Sequence, residues 1–364
     1  MSTPAALGRL RRLLPPKRLV LVPVVLALTL AVWTLLPIWL VGAALISPRL
    51  PGAWRPLRLL WLLVLHLTVE TLVLVELLGL WIASGFGLLR RLAAFEAWFE
   101  RTHYEIARTY LRLMNREARR VLHLEIEVEG PTPDAMPGTP LIVCCRHAGP
   151  ADSFVLLYAL MRWYHREPRL VLKDTIAWEP MVGTLLHRIP SRFVEPHPER
   201  GEDLLSQIAD LARDLDHDDV FVIFPEGGNY TPQRRERAIA KLREMGRDDM
   251  ADRAERMEHV LAPRPGGLLA AIGAAPETDV MLVAHTGLDH IYTVGDMWRA
   301  LPMDKRITMR WWRVPAEEIP AGEEAQIDWL FSWWAVIDEW VEEHRPVDLE
   351  PGVRRTSRKA VPRA

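Results

Sequence analysis

Leu19 to Ile46 runs without a charged side chain. A helix of roughly 20 apolar residues crosses the hydrocarbon of a bilayer, so this run is long enough to do so. Pro23 and Pro37 are the points where it would bend or end. A second apolar stretch, Leu59 to Leu89, follows after a short linker and carries His66, Glu70 and Glu76. Ionisable groups are costly in lipid, so this stretch fits either a second span or a helix lying in the interface. The first run is too long, and too closely followed by the second, for a cleaved signal peptide. Together they predict an N-terminal hydrophobic helical hairpin over residues 1–92.

The pattern then changes. From Glu96 to Leu124 the apolar positions Ile106, Tyr110, Leu113 and Met114 recur near helical spacing, with arginines between them. That spacing predicts an amphipathic helix, resting on anionic headgroups or packed on the domain that follows. Further on, short continuous apolar runs alternate with helical patterns. Leu141–Cys145, Leu170–Leu172, Val220–Phe224, Val280–Ala284 and Ile307–Val314 read as strands. Ser153–His165, Leu204–Leu215, the charged stretch Arg234–His259 and Trp329–Glu343 read as helices. The alternation predicts an α/β domain over 93–346, with a mostly parallel central sheet flanked by helices. The Pro/Arg-rich remainder, 347–364, reads as a disordered tail.

Composition narrows the picture. The 364 residues are 25% charged and 49% hydrophobic, with a formal net charge of −2, so overall charge points to no nucleic-acid partner. Cys144 and Cys145 are the two cysteines. As strand neighbours they point to opposite faces, which disfavours a bridge between them. No Cys/His spacing of the metal-ligand kind appears, so no metal is expected. Arginines and lysines lie on both sides of the hairpin: Arg9, Arg11, Arg12, Lys17 and Arg18 before it, Arg90 and Arg91 after it. This predicts a membrane location with both ends, and the domain that follows, on the cytoplasmic side. Arg49, Arg55 and Arg58 in the linker fit a shallow hairpin equally well.

Two stretches carry chemistry. In the first, Cys144-Cys145-Arg146-His147-Ala148-Gly149-Pro150-Ala151-Asp152, a buried strand ends in a turn and a helix begins near Asp152. This puts His147 at the carboxyl end of a strand, where open α/β sheets place their sites. A carboxylate on one ring nitrogen fixes the tautomer and leaves the other nitrogen free to accept a proton. Asp152 also stands where a helix cap belongs, so its purpose stays open on this evidence alone. In the second, Phe224-Pro225-Glu226-Gly227-Gly228-Asn229, another buried strand runs into a turn. Gly227 and Gly228 permit close backbone approach and can aim N–H groups at an anion.

His-x4-Asp after one strand, then Phe-Pro-Glu-Gly after a later one, resembles the glycerolipid acyltransferase family. Between the two motifs, Lys173, Ile176, Pro180 and Gly183 follow the family's order. After them, Thr231, the charged helix and Pro263-Arg264-Pro265-Gly266-Gly267 are similar to the lysophosphatidic acid and lysocardiolipin acyltransferase-like branch. The resemblance covers roughly Leu141 to Gly287. It implies a catalytic base at His147 oriented by Asp152, and substrate binding through Glu226, Gly227, Gly228, Arg192, Lys173 and Arg264. It implies an acyl thioester of coenzyme A or acyl carrier protein as co-substrate, no other cofactor, a lysophospholipid acceptor, and a bilayer as partner. The favoured acceptor is 1-acyl-sn-glycerol 3-phosphate, giving phosphatidic acid. No Gly-x-Ser-x-Gly elbow is present, so direct transfer is expected, without an acyl-enzyme.

Two departures bear on the acceptor. The family's second motif carries an arginine after a Phe that binds the acceptor phosphate; here that position falls at Pro196, with Arg192 and Arg200 as nearby substitutes. The fourth motif lacks its proline, and His285 stands either in the site or in the core. The alternatives are acylation of another lysolipid (lysocardiolipin, lysophosphatidylinositol or a glycolipid) and a non-catalytic membrane lipid-binding protein. A metal-dependent hydrolase lacks a third ligand in local spacing.

Overall fold

The computed structural model describes residues 16–50, 52, 54–149, 152–194, 201–289, 294–301, 303 and 305–345. The first apolar run forms two helices, α1 (Pro16–Thr34) and α2 (Leu36–Ile46), bent by 66°. Pro37, in the first turn of α2, fixes the break, because proline suits a helix start and not its interior. Pro23 lies inside α1. The second run is one helix, α3 (Arg55–Ala83), long and apolar enough to cross a membrane. A polar seam joins α1 to α3: Thr29 Oγ1 lies 2.9 Å from Thr71 Oγ1, and the Trp33 indole donates to Thr68 over 2.9 Å. In apolar surroundings such hydroxyl pairs fix which faces meet. The amphipathic helix is α4 (Ala93–Leu122).

A seven-stranded sheet follows, built from β1 (Glu125–Glu129), β2 (Leu141–Cys145), β3 (Glu167–Lys173), β4 (Ser191–Val194), β5 (Asp219–Ile223), β6 (Asp279–Thr286) and β7 (Arg306–Val314). Their order across the sheet is β1-β7-β6-β2-β5-β3-β4. The stretch β6-β2-β5-β3-β4 is parallel throughout, while β7 runs antiparallel to β6 and carries β1 with it. The α/β class with a mostly parallel sheet is therefore as expected. β1 and β4 are additional edge strands, too short and too polar to be read from their sequence.

Helices cover both faces. On one side lie α3, α4, α5 (Asp152–Tyr158) and α6 (Pro180–Leu186). On the other lie α7 (Gly201–Ala212), α9 (Asp248–Arg256), α10 (Pro265–Ala274) and α12 (Glu323–His344). Strand alternation assigns the two cysteines to opposite faces: Cys145 packs with the first layer and Cys144 with the second, both as free thiols. The charged stretch expected as one helix is two, α8 (Pro232–Glu244) and α9. They part at Gly246, whose φ of +69° ends a helix without a Cβ penalty. One short helix, α11 (Val294–Ala300), precedes β7. Trp312, beside the buried Trp311, packs against Trp333 and Trp340 of α12.

Gly287 closes β6 at φ +122°, and a Cβ there would lie 2.2 Å from the Arg306 carbonyl oxygen. Gly287→Ala forces either the strand end or the start of β7 to move. It should lower unfolding stability by about 2 kcal/mol or more, read as a shift in denaturant midpoint with an unchanged slope.

Candidate active site

β2 and β5 are hydrogen-bonded neighbours, with Cys144 paired to Ile223. The loops that leave their carboxyl ends therefore emerge side by side, at the edge where open α/β sheets bind ligands. One loop holds His147 and the other Glu226, Gly227 and Gly228. The backbone N–H of His147 donates to Glu226 Oε1 over 3.1 Å. The other oxygen, Oε2, accepts from the N–H of Leu261 over 3.1 Å. Glu226 is 2% exposed. Its carboxylate thus ties three segments together: the His147 loop, its own turn and the chain that leads into α10. The loops are closed a second time, because the N–H of Tyr230 donates to the His147 carbonyl over 2.8 Å. The half-buried imidazole lies beside the Phe224 ring, with centroids 4.7 Å apart.

Gly227 has φ +67°, and its missing Cβ leaves room for Arg264: an added Cβ would lie 3.1 Å from Nη1 and 3.2 Å from Cζ. The Arg264 N–H donates to the Pro225 carbonyl over 2.9 Å, which holds the exposed guanidinium over the glycine turn. The structure therefore brings His147, Glu226, Gly227, Gly228 and Arg264 to one edge. Asp152 opens α5, directly after the undescribed residues 150 and 151, and Lys173 closes β3; neither side chain is among those described. Arg192 is not brought to His147. It lies on the edge strand β4, exposed, with Nη1 donating to the Ser191 carbonyl over 3.2 Å. β5 and β3 intervene, so β4 stands roughly 14 Å from β2 across the sheet. Pro196 and Arg200 lie outside the described residues.

Beneath His147 lies a polar layer built from residues far apart in the chain. Arg146 is 1% exposed, and its Nη1 meets Asp289 Oδ1 at 2.7 Å. The same guanidinium donates to the carbonyls of His285 over 2.5 Å and His259 over 2.9 Å. His285 Nε2 lies 3.1 Å from the Arg146 carbonyl oxygen, so His285 is a hydrogen-bonded core residue. Burial alone would push the Asp289 carboxyl up. Arg146, the Thr286 hydroxyl and the Gly287 N–H outweigh it and hold the group well below the usual carboxylate range. Asp338 of α12 accepts from the N–H groups of Glu258 and His259 over 3.0 and 2.6 Å, and so steadies the segment that carries Leu261. An arginine next to a motif histidine is a signal, but its partners are more than a hundred residues away and sequence spacing does not reveal them.

The arrangement offers an imidazole at a strand end, a glycine turn with a cation beside it, and a rigid polar support. Among the described residues no cluster of His, Cys, Asp and Glu has the arrangement of a metal site. The acyltransferase family model matches residues 125–273. An uncharacterized acyltransferase of Schizosaccharomyces pombe is 20% identical over 202 residues, covering 52% of this chain and 55% of that protein. The chain thus spans about half the length of that curated relative. The crystal structure of the 1-acyl-sn-glycerophosphate (LPA) acyltransferase PlsC from Thermotoga maritima aligns with a TM-score of 0.46 at 16% identity. It covers 76% of this chain and 95% of that one.

Asp289→Asn leaves the Arg146 guanidinium buried beside a neutral amide, and should cost about 3 kcal/mol of stability at neutral pH. Because the folded carboxyl titrates below its unfolded value of about 3.9, its contribution is fully present above that value and is lost as pH falls through the folded one. The stability gap between parent and variant should therefore hold from pH 8 to about pH 4 and narrow below it, as measured by chemical denaturation across pH.

Proposed function

We propose that this chain, whose residues 125–273 match the acyltransferase family model, moves a fatty acyl group from a thioester of coenzyme A or acyl carrier protein to the free hydroxyl of a lysophospholipid. The favoured acceptor is 1-acyl-sn-glycerol 3-phosphate, and the product then is phosphatidic acid. The observation that carries this reading is the contact of His147 with Glu226, which joins the two motif loops in one place.

In this reading the His147 imidazole takes the proton of the acceptor hydroxyl as its oxygen attacks the thioester carbonyl carbon. A new C–O bond forms, and the carbonyl electrons move to oxygen. A backbone N–H of the glycine turn stabilises that oxyanion, other than that of Gly227, which donates to the Phe224 carbonyl over 3.0 Å. When it collapses, the C–S bond breaks, and the thiolate leaves with the proton that His147 had taken. Asp152, on the first residue of α5, orients the ring and supports its positive charge. Arg264, exposed against Gly227, takes the acceptor phosphate. It is the site cation that compensates for an arginine absent from position 196. Lys173, at the end of β3 on the same sheet edge, adds a second positive charge. Glu226 acts through the backbone that it holds.

Both substrates are amphiphiles, and the helices α1, α2 and α3 supply a surface for them. Trp33, Trp39, Leu45, Trp61, Val75 and Ile82 are exposed large hydrophobics on these helices. Monomeric soluble proteins rarely expose so continuous an apolar face. In this reading it lies in a bilayer, with the catalytic domain on the cytoplasmic side.

Supplying the purified chain with acyl-coenzyme A and 1-acylglycerol 3-phosphate should release free thiol. His147→Ala should slow that release by roughly 10²–10⁴, and Asp152→Asn should slow it in the same direction. Full activity in either variant would remove the assigned roles. A panel of lysolipids, read by lipid mass spectrometry, names the acceptor.

Arg264→Ala should raise KM for a phosphate-bearing acceptor about tenfold while leaving the value for a neutral monoacylglycerol unchanged. An equal rise for both acceptors would assign Arg264 to the fold instead.

A further inference from the structure

A groove of about 290 Å³ lies between α4 and the turn that ends α5, lined by Glu105, Arg108, Thr109, Arg112, Arg162 and His165. It is well separated from His147. α5 starts just past the His147 loop, and ten residues of helix at about 1.5 Å each carry the chain roughly 15 Å away before Arg162. β3 begins at Glu167, so the groove sits toward the amino ends of the parallel strands, at the sheet edge opposite the candidate active site.

Its charge is unbalanced. Glu105 pairs with Arg108, whose Nε also donates to the Met161 carbonyl over 2.8 Å. Among the described residues no carboxylate pairs with Arg112 or Arg162. Two guanidinium groups therefore face one concavity, with the Thr109 side chain and the His165 imidazole beside them. Like charges held together without a counter-ion repel, so an arrangement of this kind is most stable with an anion between them.

The groove is also rigid. Residues Ala159–Trp163 form a π-helical turn, a distortion frequent at functional sites. His165 is held at φ +53°, a conformation that a non-glycine residue adopts only at a cost. Arg166, 2% exposed, fixes the chain there. It donates to the carbonyls of Thr139, His217 and Pro133 over 2.8, 2.9 and 2.9 Å, and also to that of Met136. One wall of the groove is thus set before any ligand arrives, which lowers the ordering cost of binding.

We propose that this groove is a second ligand site, which takes a phosphate-bearing anion between Arg112 and Arg162. Guanidinium groups bind phosphate oxygens in pairs of parallel hydrogen bonds, and a hydroxyl and an imidazole complete such a set. The volume stands near the lower limit for small-molecule sites. It suits a phosphorylated headgroup, the nucleotide end of a coenzyme A thioester, or free phosphate.

The three sources share one chemistry and separate in one experiment. The full-length chain in detergent micelles is titrated calorimetrically with inorganic phosphate, sn-glycerol 3-phosphate and adenosine 3′,5′-bisphosphate. At least one should bind saturably, and the tightest names the source. Arg112→Gln/Arg162→Gln keeps side-chain length and should weaken that binding at least about tenfold. Arg237→Gln/Lys241→Gln removes the same charge from the exposed face of α8 and should not change it. A titration in which none of the three binds overturns the proposal. So does one in which the groove variant binds as the parent does, or in which both variants weaken equally. Binding is read without turnover, so failure of the acyl-transfer reading leaves this result unaffected.

Discussion

One buried carboxylate organises the functional edge of this protein. Glu226 accepts the N–H of His147 with one oxygen and the N–H of Leu261 with the other. Removing a carboxylate from water costs several kcal/mol unless hydrogen bonds to its charged form offset it. Here the compensating donors belong to segments that the chain separates by 79 and 35 residues. The loops after β2 and β5 therefore meet because a charge must be satisfied, and the imidazole is placed by its own backbone. Gly227, at φ +67°, lets the same turn admit the Arg264 guanidinium. One buried charge thus sets the positions of both the His147 loop and the glycine turn beside Arg264.

A second ionic layer supports the first. Arg146 is the residue before His147, and its guanidinium is spent on Asp289 and on the carbonyls of His259 and His285. It joins the end of β2 to the end of β6 and to the segment before α10. Asp338 holds that segment from α12. In the proposed mechanism this support keeps the His147 imidazole in position as charge develops, which is the purpose of preorganisation. The hairpin is joined to the domain in a similar way: Arg55 reaches across to donate to the Leu301 carbonyl, and Arg188 to that of Leu77.

The sequence showed the strands that are buried on both faces. Leu141–Cys145 and Val220–Phe224 have no competing pattern, and the motif residues follow them directly. The break in the first apolar run was legible at Pro37, because proline fixes a helix start. The edge strands β1 and β4 were not legible. Glu125-Ile126-Glu127-Val128-Glu129 is half solvated, and its pairing with β7 joins residues about 180 apart. The division of the charged helix was hidden by its uniform polarity; Gly246 was the only mark. At the site, His147, Glu226 and the two glycines were legible from their strand-end position. Arg264 was legible only through resemblance, since its contact with Gly227 depends on a missing Cβ. Arg146 and Asp289 were hidden, because a long-range ion pair leaves no local period. Arg192 shows the limit of nearness in sequence: a motif arginine can fall on an edge strand that the sheet order carries away from His147.

Hydrogen exchange tests the role of Glu226 most directly. In the parent chain, mass spectrometry of the peptides that contain His147 and Leu261 should show both amides protected. In Glu226→Ala both should lose protection together, at matched global stability, because one carboxylate holds both. Loss at only one of the two, or protection unchanged at both, would contradict the bridge and with it the account of how the two loops come to share a site.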